Sequence, residues 1–527
     1  MADNGHMTLF ALHPEKLPRH GFALHNAETS RQIESWALAQ DPPFALMHRA
    51  GESVFKLSAA LYPHAQTVWV ACGPGNNGGD GLVVAALWQR RLQASGGKVF
   101  VNWLGHAQHC GPDTQHAFEL ARSAGVLFET QAPTAFDLAI DALWGLGLDR
   151  APEGPGAVWL NTLQTCLQPV LCVDLPSGLD ANSGAWMACS PAEPAGPRHT
   201  LSLLTMKPGL WTGQGRACSG NIWFDDLGVS LCTAPVEPSA WLQGPETMGI
   251  GRAQQHLGHK GTHGDVLVIG GQWPHKTEPG MVGAAWLAAR AALHSGAGRV
   301  YVHTLSAPTA HYSNCPSEQA PMGLDPLYPE IMFRPGLTAG QDSLVSEATV
   351  VCGCGGGARV VAWLPTLIAR TPTLVLDADA LNALALDPAI FNTLSRRHHR
   401  GLITVLTPHP LEAARLLGCT ADDIQKNRLH AAQTLAELSG AVVVLKGSGT
   451  IVAAPGLLPI INPTGNALLG TAGSGDVLAG MLGAALAPHQ PLSLTAAQQL
   501  CAQTVFAHGL KANRWHDAQP MIASDLL

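Results

Sequence analysis

The chain has little charge for its length and no run of basic residues. Charged residues make up 13% of its 527 residues, aromatic residues make up 6%, and the formal net charge is -8. A nucleic-acid-binding surface is therefore not expected. Apolar stretches are interrupted by charge, Gly or Pro well before the roughly 18 residues that a membrane span needs. Residues 1–20 lack the basic and apolar regions of a signal peptide, so we expect a cytoplasmic protein.

The 12 cysteines are scattered along the sequence. The nearest two, Cys352 and Cys354, do not form a CxxC motif and have no second cluster beside them, so a zinc site is not expected. Free thiols in a reducing compartment are the simpler interpretation. Hydrophobic residues make up 46% of the chain, which is enough to bury real cores and argues against disorder. The length exceeds that of a single core and predicts at least two domains.

Short apolar segments alternate with helical ones in both halves of the chain. This alternation predicts parallel sheets with helices on both faces, that is, an α/β fold of two three-layer domains. The Pro- and Gly-rich segment 231–251 separates the halves, and we place the domain boundary near residue 245. The predicted helices include 81–93, 281–295 and 475–486. The predicted strands are 67–72, 98–104, 137–143, 169–175 and 199–206, then 264–271, 299–305, 348–352, 373–376, 402–406 and 441–445.

The segment GPGNNGGDG at residues 73–81 lies between a predicted strand and a predicted helix. Its glycines would let backbone N–H groups face a ligand without a Cβ in the way, and the helix N-terminus behind them favours an anion. A plain tight turn is the alternative, but such a turn needs only one or two glycines. The spacing is not GxGxxG, so an ordinary Rossmann cofactor site is not indicated.

Two aspartates, Asp141 and Asp174, lie at predicted strand ends. Ligands of open α/β sheets bind at the carboxyl ends of strands, so we expect these two and Asp80 to meet in one crevice. Carboxylates together with the oxygens of Asn77 and Ser177 form a hard-oxygen site suited to a simple cation. One such aspartate alone is more often a cap, but three beside Gly-rich loops favour a functional site.

The most specific motif of the second half is TAGSGDVLAG at residues 471–480. A Gly-Ser-Gly-Asp turn that opens an apolar helix forms an anion hole from backbone N–H groups and places Asp476 beside a bound phosphate. Phosphoryl transfer to a hydroxyl needs both charge stabilisation and a base. The plain alternative is that Asp476 only caps the helix. KGSGT at 446–450 is too short for a Walker A loop and is interpreted as a loop that touches an adenine nucleotide.

In the first half, GPGNNGGDGLV, DALWGLGL and VDLPSGLD together resemble the YjeF-type N-terminal domain, the NAD(P)H-hydrate epimerase, over roughly residues 24–228. The resemblance implies a Rossmann-like domain at 20–245 and a potassium ion held at Asn77, Asp141 and Ser177. Asp174 is the candidate acid/base, because inversion of the hydrated ring carbon needs proton transfer. Residues 182–198 depart from the family pattern. The implied substrate contacts are Asn76, Asn77, Gly78, Gly79, Asp80, Gly145, Leu146, Gly147, Leu148, Asp149, Arg150, Ala151 and Asp174.

In the second half, HKGTHGDVLVIGG, DADALNALA, LTPHPLEAARLLG, VLKGSGT and NPTGNALLGTAGSGDVLAG resemble, in this order, the C-terminal domain of the same repair enzymes. The resemblance implies a ribokinase-like NAD(P)H-hydrate dehydratase at 250–527. Its substrates would be the S-hydrates of NADH and NADPH (NADHX and NADPHX), dehydrated through a phosphorylated intermediate at the expense of ADP or ATP with Mg²⁺. A homo-oligomer is also expected.

The same resemblance assigns residues of the second half. It implies nucleotide contacts at Lys446, Gly447, Ser448, Gly449, Thr450 and Gly475. It implies substrate contacts at Ala284, Gly355, His409 and Asp476, with Asp476 as the catalytic base. His409 is distinguished from the other histidines only by its place at a predicted strand end. Where the family has GPGLG, this chain has GCGGG at 353–357.

Two other functions fit parts of the pattern. A ribokinase-like small-molecule kinase fused to a ligand-binding domain would share the anion hole and the base, and it would leave a phosphorylated product. A binding or scaffold protein with a degenerate epimerase-like domain is the non-enzymatic alternative. The presence of Asp80, Asp141 and Asp174 together argues against such decay.

Overall fold

The computed structural model describes residues 10–148, 150–245, 258–274, 279–305, 325–340, 342–489, 491–516 and 519–527. The chain divides into two compact units, Met1–Leu242 and Gln243–Leu527. Each unit contains a mainly parallel sheet with helices between consecutive strands. The predicted α/β class is thereby confirmed. Within the described ranges, no helix is both long and apolar enough to cross a membrane.

The first unit is built on a sheet of eight described strands in the order β1-β9-β8-β7-β6-β3-β4-β5. All neighbours are parallel except β1 and β9. An antiparallel pair joins β2 and β10. The strands are β1 Phe10–Ala11, β2 Phe22–Leu24, β3 Thr67–Cys72, β4 Lys98–Trp103, β5 Leu127–Phe128, β6 Leu138–Ala142, β7 Val170–Val173, β8 Arg198–Leu203, β9 Asn221–Asp225 and β10 Ala240–Leu242.

Strand β3 shows why this sheet is buried on both faces. Its residues TVWVAC alternate between two apolar cores. Val68 belongs to a core that contains Leu82, whereas Trp69 belongs to a second core that contains Trp159. The helices of the unit are Ala27–Leu38, Ala45–Leu61, Asn76–Leu92, Pro112–Ser123, Gly154–Thr165 and Gly215–Cys218, with 3-10 turns at Pro14–Lys16, Pro208–Trp211 and Leu231–Thr233.

The second unit contributes nine described strands in the order β13-β12-β11-β14-β15-β16-β17-β18-β19. Strands β11 to β17 pair in parallel, and β18 and β19 are antiparallel additions. The strands are β11 Asp265–Gly270, β12 Arg299–Thr304, β13 Met332–Phe333, β14 Thr349–Cys352, β15 Thr373–Leu376, β16 Ile403–Leu406, β17 Val442–Leu445, β18 Ile451–Ala453 and β19 Ile460–Ile461.

Two Ala- and Gly-rich helices, Val282–His294 and Ser474–Leu486, pack closely against each other in this unit. Gly480 lies where the backbones approach, and a Cβ there would overlap the carbonyl oxygen of Ala288. The remaining helices are Leu344–Glu347, Leu364–Arg370, Asp379–Leu386, Pro388–Phe391, Ser395–His399, Pro410–Leu417, Ala421–Lys426, Arg428–Ser439 and Leu494–Asn513, with 3-10 turns at Gly357–Ala362, Ala467–Leu469 and Ala523–Leu526.

Both sheets change direction at one point along the strand order. In the first unit the chain runs outward from β3 to β5 on one side and from β6 to β9 on the other, so the switch lies between β3 and β6. In the second unit the switch lies between β11 and β14. Crevices outside the carboxyl ends of strands at such points are the usual ligand sites of open α/β sheets.

The helix that follows β3 begins five residues earlier than predicted. The sequence predicts a helix over 81–93, but the helix spans Asn76–Leu92. Gly78 and Gly79 therefore lie inside its first turns and are buried. They are glycines because of close packing, since a Cβ on Gly78 would overlap the carbonyl oxygen of Gly73 and one on Gly79 would contact Met47. The contacts expected from these two glycines to a ligand stay a prediction.

Candidate active sites

A cavity of about 400 Å³ lies at the carboxyl ends of the strands in the first unit. Of the substrate contacts predicted for this half, the cavity is lined by Asn76, Asn77, Asp80, Gly145, Leu146, Gly147 and Asp174. Gly78 and Gly79 lie behind it, and Leu148, Arg150 and Ala151 do not line it. Asp149 lies outside the described residues. Arg31 fixes the loop at the cavity rim through a bond of 2.6 Å from its Nη2 to the Leu146 carbonyl oxygen.

Asp174 follows β7 directly and reaches the cavity from a left-handed backbone, with φ at 66°. Its Oδ1 accepts from the ammonium group of Lys207 and from the Leu203 N–H, which is at 3.1 Å. Lys207 is 1% exposed, and its Nζ also donates to the carbonyl oxygens of Leu203 and Thr205, both at 2.8 Å. The predicted acid/base is thus held by a buried cation that the sequence did not single out.

Asp80 lies in the same cavity in a different electrostatic setting. Burial raises its pKa well above the usual value, and the nearby charges of Asp174 and Glu34 raise it further. Among the described residues, no basic side chain forms an ion pair with Asp80. Of the acidic side chains that line the cavity, Asp174 is therefore paired with a cation, and burial favours the protonated form of Asp80.

Asp141 is fully buried at the end of β6, beneath the cavity rather than on its wall. Its Oδ1 accepts from the Ser177 hydroxyl at 2.6 Å, and its Oδ2 accepts from the Ser177 N–H at 2.9 Å. Burial raises the pKa of Asp141, and the bonds from Ser177 oppose that shift. The expected convergence of three aspartates on one crevice therefore holds on the cavity wall only for Asp80 and Asp174.

In the second unit, Asp476 lies in the first turn of the helix Ser474–Leu486, whose N-cap position is Gly473. The plain interpretation of Asp476 as the cap residue does not fit this position. Burial, and then the charge of Asp377, raise the pKa of Asp476 to about 6. Cys354, Asp377 and Asp476 bring one potential ligand atom each within 4.8 Å of one another.

A lysine neutralises part of this acidic cluster. The Nζ of Lys446 lies 2.8 Å from Asp377 Oδ1, which also accepts from the Thr407 hydroxyl at 2.6 Å. Although burial opposes its charge, the pKa of Lys446 is raised by Asp377 and Glu412. A Cβ on Gly475 would lie 3.3 Å from Lys446 Nζ, so the ammonium group faces the helix N-terminus. An ammonium group and a helix N-terminus side by side favour a bound phosphate.

The other predicted contacts of this half lie around the same cluster. Residues 446–450 form the turn between β17 and β18, with Gly447 and Gly449 at positive φ. Thr450 donates through its hydroxyl to the Gly447 carbonyl oxygen at 3.2 Å, and Ser448 is exposed in the same turn. Gly355, at φ 59°, packs so closely on the helix Val282–His294 that a Cβ would contact Ala284.

His409 has a clear structural role. Its Nδ1 accepts from the N–H groups of Leu411 and Glu412, at 3.1 and 3.3 Å, and so caps the helix Pro410–Leu417. Burial, and then the charge of Lys446, lower the pKa of His409. Its Nε2 lies 3.3 Å from Glu412 Oε1. The substrate contact predicted for His409 has to come from a ring that already serves as a helix cap.

Comparisons with known proteins cover both units. A family model described as the YjeF-related protein N-terminus matches residues 43–209, and one described as NAD(P)H-hydrate dehydratase matches residues 266–527. The bifunctional NAD(P)H-hydrate repair enzyme Nnr of Escherichia coli K12 is 35% identical over 515 residues, which cover 92% of this chain and 88% of that protein. The chain belongs to the bifunctional NAD(P)H-hydrate repair enzyme family. Nnr of Coxiella burnetii is 33% identical, over 93% of this chain and 94% of its own.

One solved structure similar to this family member is the ADP/ATP-dependent NAD(P)H-hydrate dehydratase from Bacillus subtilis, co-crystallised with ATP/Mg²⁺. It is 25% identical, covers 52% of this chain and 89% of its own, and has a TM-score of 0.38.

Two charged residues of this repair-family chain were missed by sequence reasoning. Asp377 follows β15 directly, so the strand-end rule that selected Asp174 would have selected it too. Lys207 lies four residues beyond β8, and no local pattern distinguishes it from an exposed lysine. Its burial results from the tertiary placement of β8 beside β7, which brings the lysine to Asp174.

Proposed function

We propose that the first half, residues 20–245, interconverts the R- and S-hydrates of NADH and NADPH, and that the second half, residues 250–527, dehydrates the S-hydrate with ADP or ATP. The observation that carries the proposal is a separate carboxylate-bearing site at the sheet switch of each half, in a chain related along its length to bifunctional repair enzymes. A cytoplasmic location and a homo-oligomer stay predictions.

In the dehydratase half, Asp476 would take the proton of the substrate hydroxyl as that oxygen attacks the terminal phosphoryl group. Lys446 and the N–H groups at Gly475 would stabilise the phosphoryl charge. Residues 446–450 would hold the nucleotide, and Mg²⁺ bound with the nucleotide would neutralise its phosphates. Hydroxide is a poor leaving group and phosphate a good one, so elimination of the phosphorylated intermediate restores the ring double bond.

The pH dependence of dehydration follows from the pKa of Asp476, which is raised to about 6. A base must be ionised, so kcat/KM for the S-hydrate is expected to fall as the pH falls through about 6, instead of near 4 as for an ordinary carboxylate. Asp377→Asn removes a like charge and should move this acid limb to lower pH. Initial rates between pH 5 and 8 test both statements, and a wild-type rate that stays constant down to pH 5 would contradict the first.

In the epimerase half, the side chains of Asn77, Asp141 and Ser177 are our candidates for holding K⁺. The buried carboxylate of Asp141 has no ion-pair partner among the described residues, and the buried Nδ2 of Asn77 has no hydrogen-bond partner. A 180° rotation of that amide would present Oδ1 instead. Two hard oxygens and a buried negative charge fit a monovalent cation, which would offset the cost of burying the carboxylate.

Potassium is therefore expected to stabilise and activate the epimerase half. Replacement of K⁺ by N-methylglucamine should lower the rate of R-to-S conversion and the thermal midpoint of that activity, and K⁺ should restore both with saturation. Asp141→Asn removes the charge that attracts the cation, so the variant should not respond to K⁺. Titrations of both proteins with KCl at constant ionic strength provide the measurement. An equal response in the two proteins would exclude the site.

The experiment that tests the proposed function supplies mixed hydrates and follows the return of reduced-nicotinamide absorbance with ADP, with ATP and without nucleotide. Full recovery from both hydrates with a nucleotide requires both activities. Recovery of only the S-hydrate would leave the epimerase assignment unsupported. A phosphorylated product that persists, with no recovery of absorbance, would favour the alternative of a small-molecule kinase.

A further inference from the structure

Lys207 uses all of its hydrogen-bonding capacity inside the protein. An ammonium group has three donors, and the acceptors here are the Leu203 and Thr205 carbonyl oxygens and Asp174 Oδ1. The two carbonyls belong to the turn after β8, so the lysine is held by backbone and holds the carboxylate in turn. A buried charge in such a setting needs its partner, because an unpaired buried charge strongly destabilises the fold.

One carboxylate oxygen of Asp174 is therefore hydrogen-bonded within the protein, and the other is available to a substrate. Oδ1 accepts from Lys207 and from the Leu203 N–H, whereas Oδ2 has no hydrogen-bond partner among the described residues. The backbone at Asp174 and at Leu204 is left-handed, with φ of 66° and 62°. Such conformations in residues other than glycine cost free energy and cluster at functional sites. The fold thus keeps Asp174 at the cavity in a fixed orientation.

Asp80 faces the same cavity without a cation. It lies on the helix Asn76–Leu92, whereas Asp174 follows β7, so the two carboxyl groups approach from different elements. Burial and the charge of Asp174 raise the pKa of Asp80. Two carboxyl groups with opposed environments in one pocket are a recurring arrangement for an acid and a base.

We propose that Asp174 and Asp80 divide the two proton transfers of epimerisation between them, with Asp174 as base and Asp80 as acid, and that Lys207 is the positioning residue for Asp174. The proposal rests on the proposed function of the first half. It adds Asp80 and Lys207 to the reaction, with roles distinct from binding the substrate.

The chemistry balances as a ring opening and closure. Hydration places a hydroxyl on the ring carbon bonded to the ring nitrogen. Asp174 takes the hydroxyl proton, and the C–O bond becomes a carbonyl. The carbon–nitrogen bond breaks at the same time, and its electron pair goes to nitrogen. The nitrogen then takes the proton of Asp80. After rotation of the aldehyde, nitrogen attacks the other face, returns its proton to Asp80, and the oxygen regains a proton from Asp174. No oxidant or nucleotide is consumed.

The test uses the full-length chain and the R-hydrate without nucleotide, with appearance of the S-hydrate followed by chromatography. Asp80→Asn and Lys207→Ala should each lower kcat by roughly 100-fold or more, with KM within about threefold of the wild type. The exposed Lys98 at the start of β4 provides the matched control, and Lys98→Ala should behave like the wild type. Dehydration of the S-hydrate by the same samples reports on the concentration and handling of the chain.

Chemical rescue separates positioning from a purely structural role. Ethylammonium should restore the activity of Lys207→Ala at least tenfold, because it can enter the space left beside Asp174, and it should not restore Asp80→Asn. Loss of activity without rescue, or kcat of either variant within threefold of the wild type, would overturn the proposal. Ring opening and closure retain the hydroxyl oxygen of the substrate. If the reaction is run in water labelled with ¹⁸O, incorporation of one labelled oxygen into the product per turnover would therefore also overturn the proposal. If the wild type does not interconvert the hydrates, the proposed function fails instead.

Discussion

Replacement of Asp476 by asparagine is expected to abolish dehydration and to leave epimerisation at the wild-type rate. The amide cannot accept the proton of the substrate hydroxyl, whereas its size fits the same place in the first turn of the helix Ser474–Leu486. Loss of a general base lowers rates by about 10²–10⁴-fold. Binding of the nucleotide should change less, because Lys446 and the helix N-terminus remain.

The measurement is single-turnover recovery of NADH from the S-hydrate with excess nucleotide, alongside R-to-S conversion in the same preparation. Asp379→Asn is a useful neighbour control. Asp379 begins the helix Asp379–Leu386 and accepts from the Gly357 N–H at 2.8 Å, so its replacement removes a nearby carboxylate without removing the proposed base. Dehydration by Asp476→Asn at near-normal rate would show that another group takes the proton.

Gly480→Ala is expected to produce a large loss of stability in the second unit. The new Cβ would overlap the Ala288 carbonyl oxygen, and backbone cannot rotate away as a side chain can. The two helices would have to move apart. We expect this to lower the free energy of unfolding by about 3 kcal/mol, the upper end of the usual cost of overpacking a core. For a unit of this size that corresponds to a fall of roughly 6–10 °C in the thermal midpoint.

Gly283→Ala provides the matched control in the partner helix. A Cβ at Gly283 meets no atom within 4 Å, and Ala favours a helix over Gly by about 0.5–1 kcal/mol. This variant should match or slightly exceed the wild type. Thermal inactivation of dehydration, with epimerisation in the same sample as the internal reference, measures both. Equal thermal midpoints for the two variants would mean that the two helices can move apart without loss of stability, which would contradict the prediction.

Much of the architecture could be predicted because it depends on local patterns. The segment TLVL at 373–376 is apolar after its first residue and becomes β15 with the predicted bounds, since a strand covered on both faces needs no alternation. The GSGD turn was found because its glycines and aspartate are adjacent in sequence. The early helix start at Asn76 could not be predicted, since Gly78 and Gly79 are poor helix formers that only tertiary contact explains.

The electrostatic part of each site depended on distant residues. Lys207 meets Asp174 across 33 positions of sequence, and Lys446 meets Asp377 across 69. Lys207 alone has the pattern of a solvated side chain, and Lys446 was predicted to contact the nucleotide but not to pair with Asp377. Only strand order, which places β8 beside β7, makes the first pair. The cap role of His409 was equally hidden, because histidine is not among the usual N-cap residues.

The left-handed backbone at Asp174 and Leu204 has a consequence for the evolution of such a protein. Each residue in such a conformation lowers the stability of the folded state by about 1–3 kcal/mol. Glycine at Asp174 would relax the backbone there but would remove the carboxylate, and glycine at Leu204 would remove a buried side chain from the core. The first unit therefore has to trade stability against function at this turn. Its heat tolerance must come from elsewhere, for instance from the two cores on either side of the sheet.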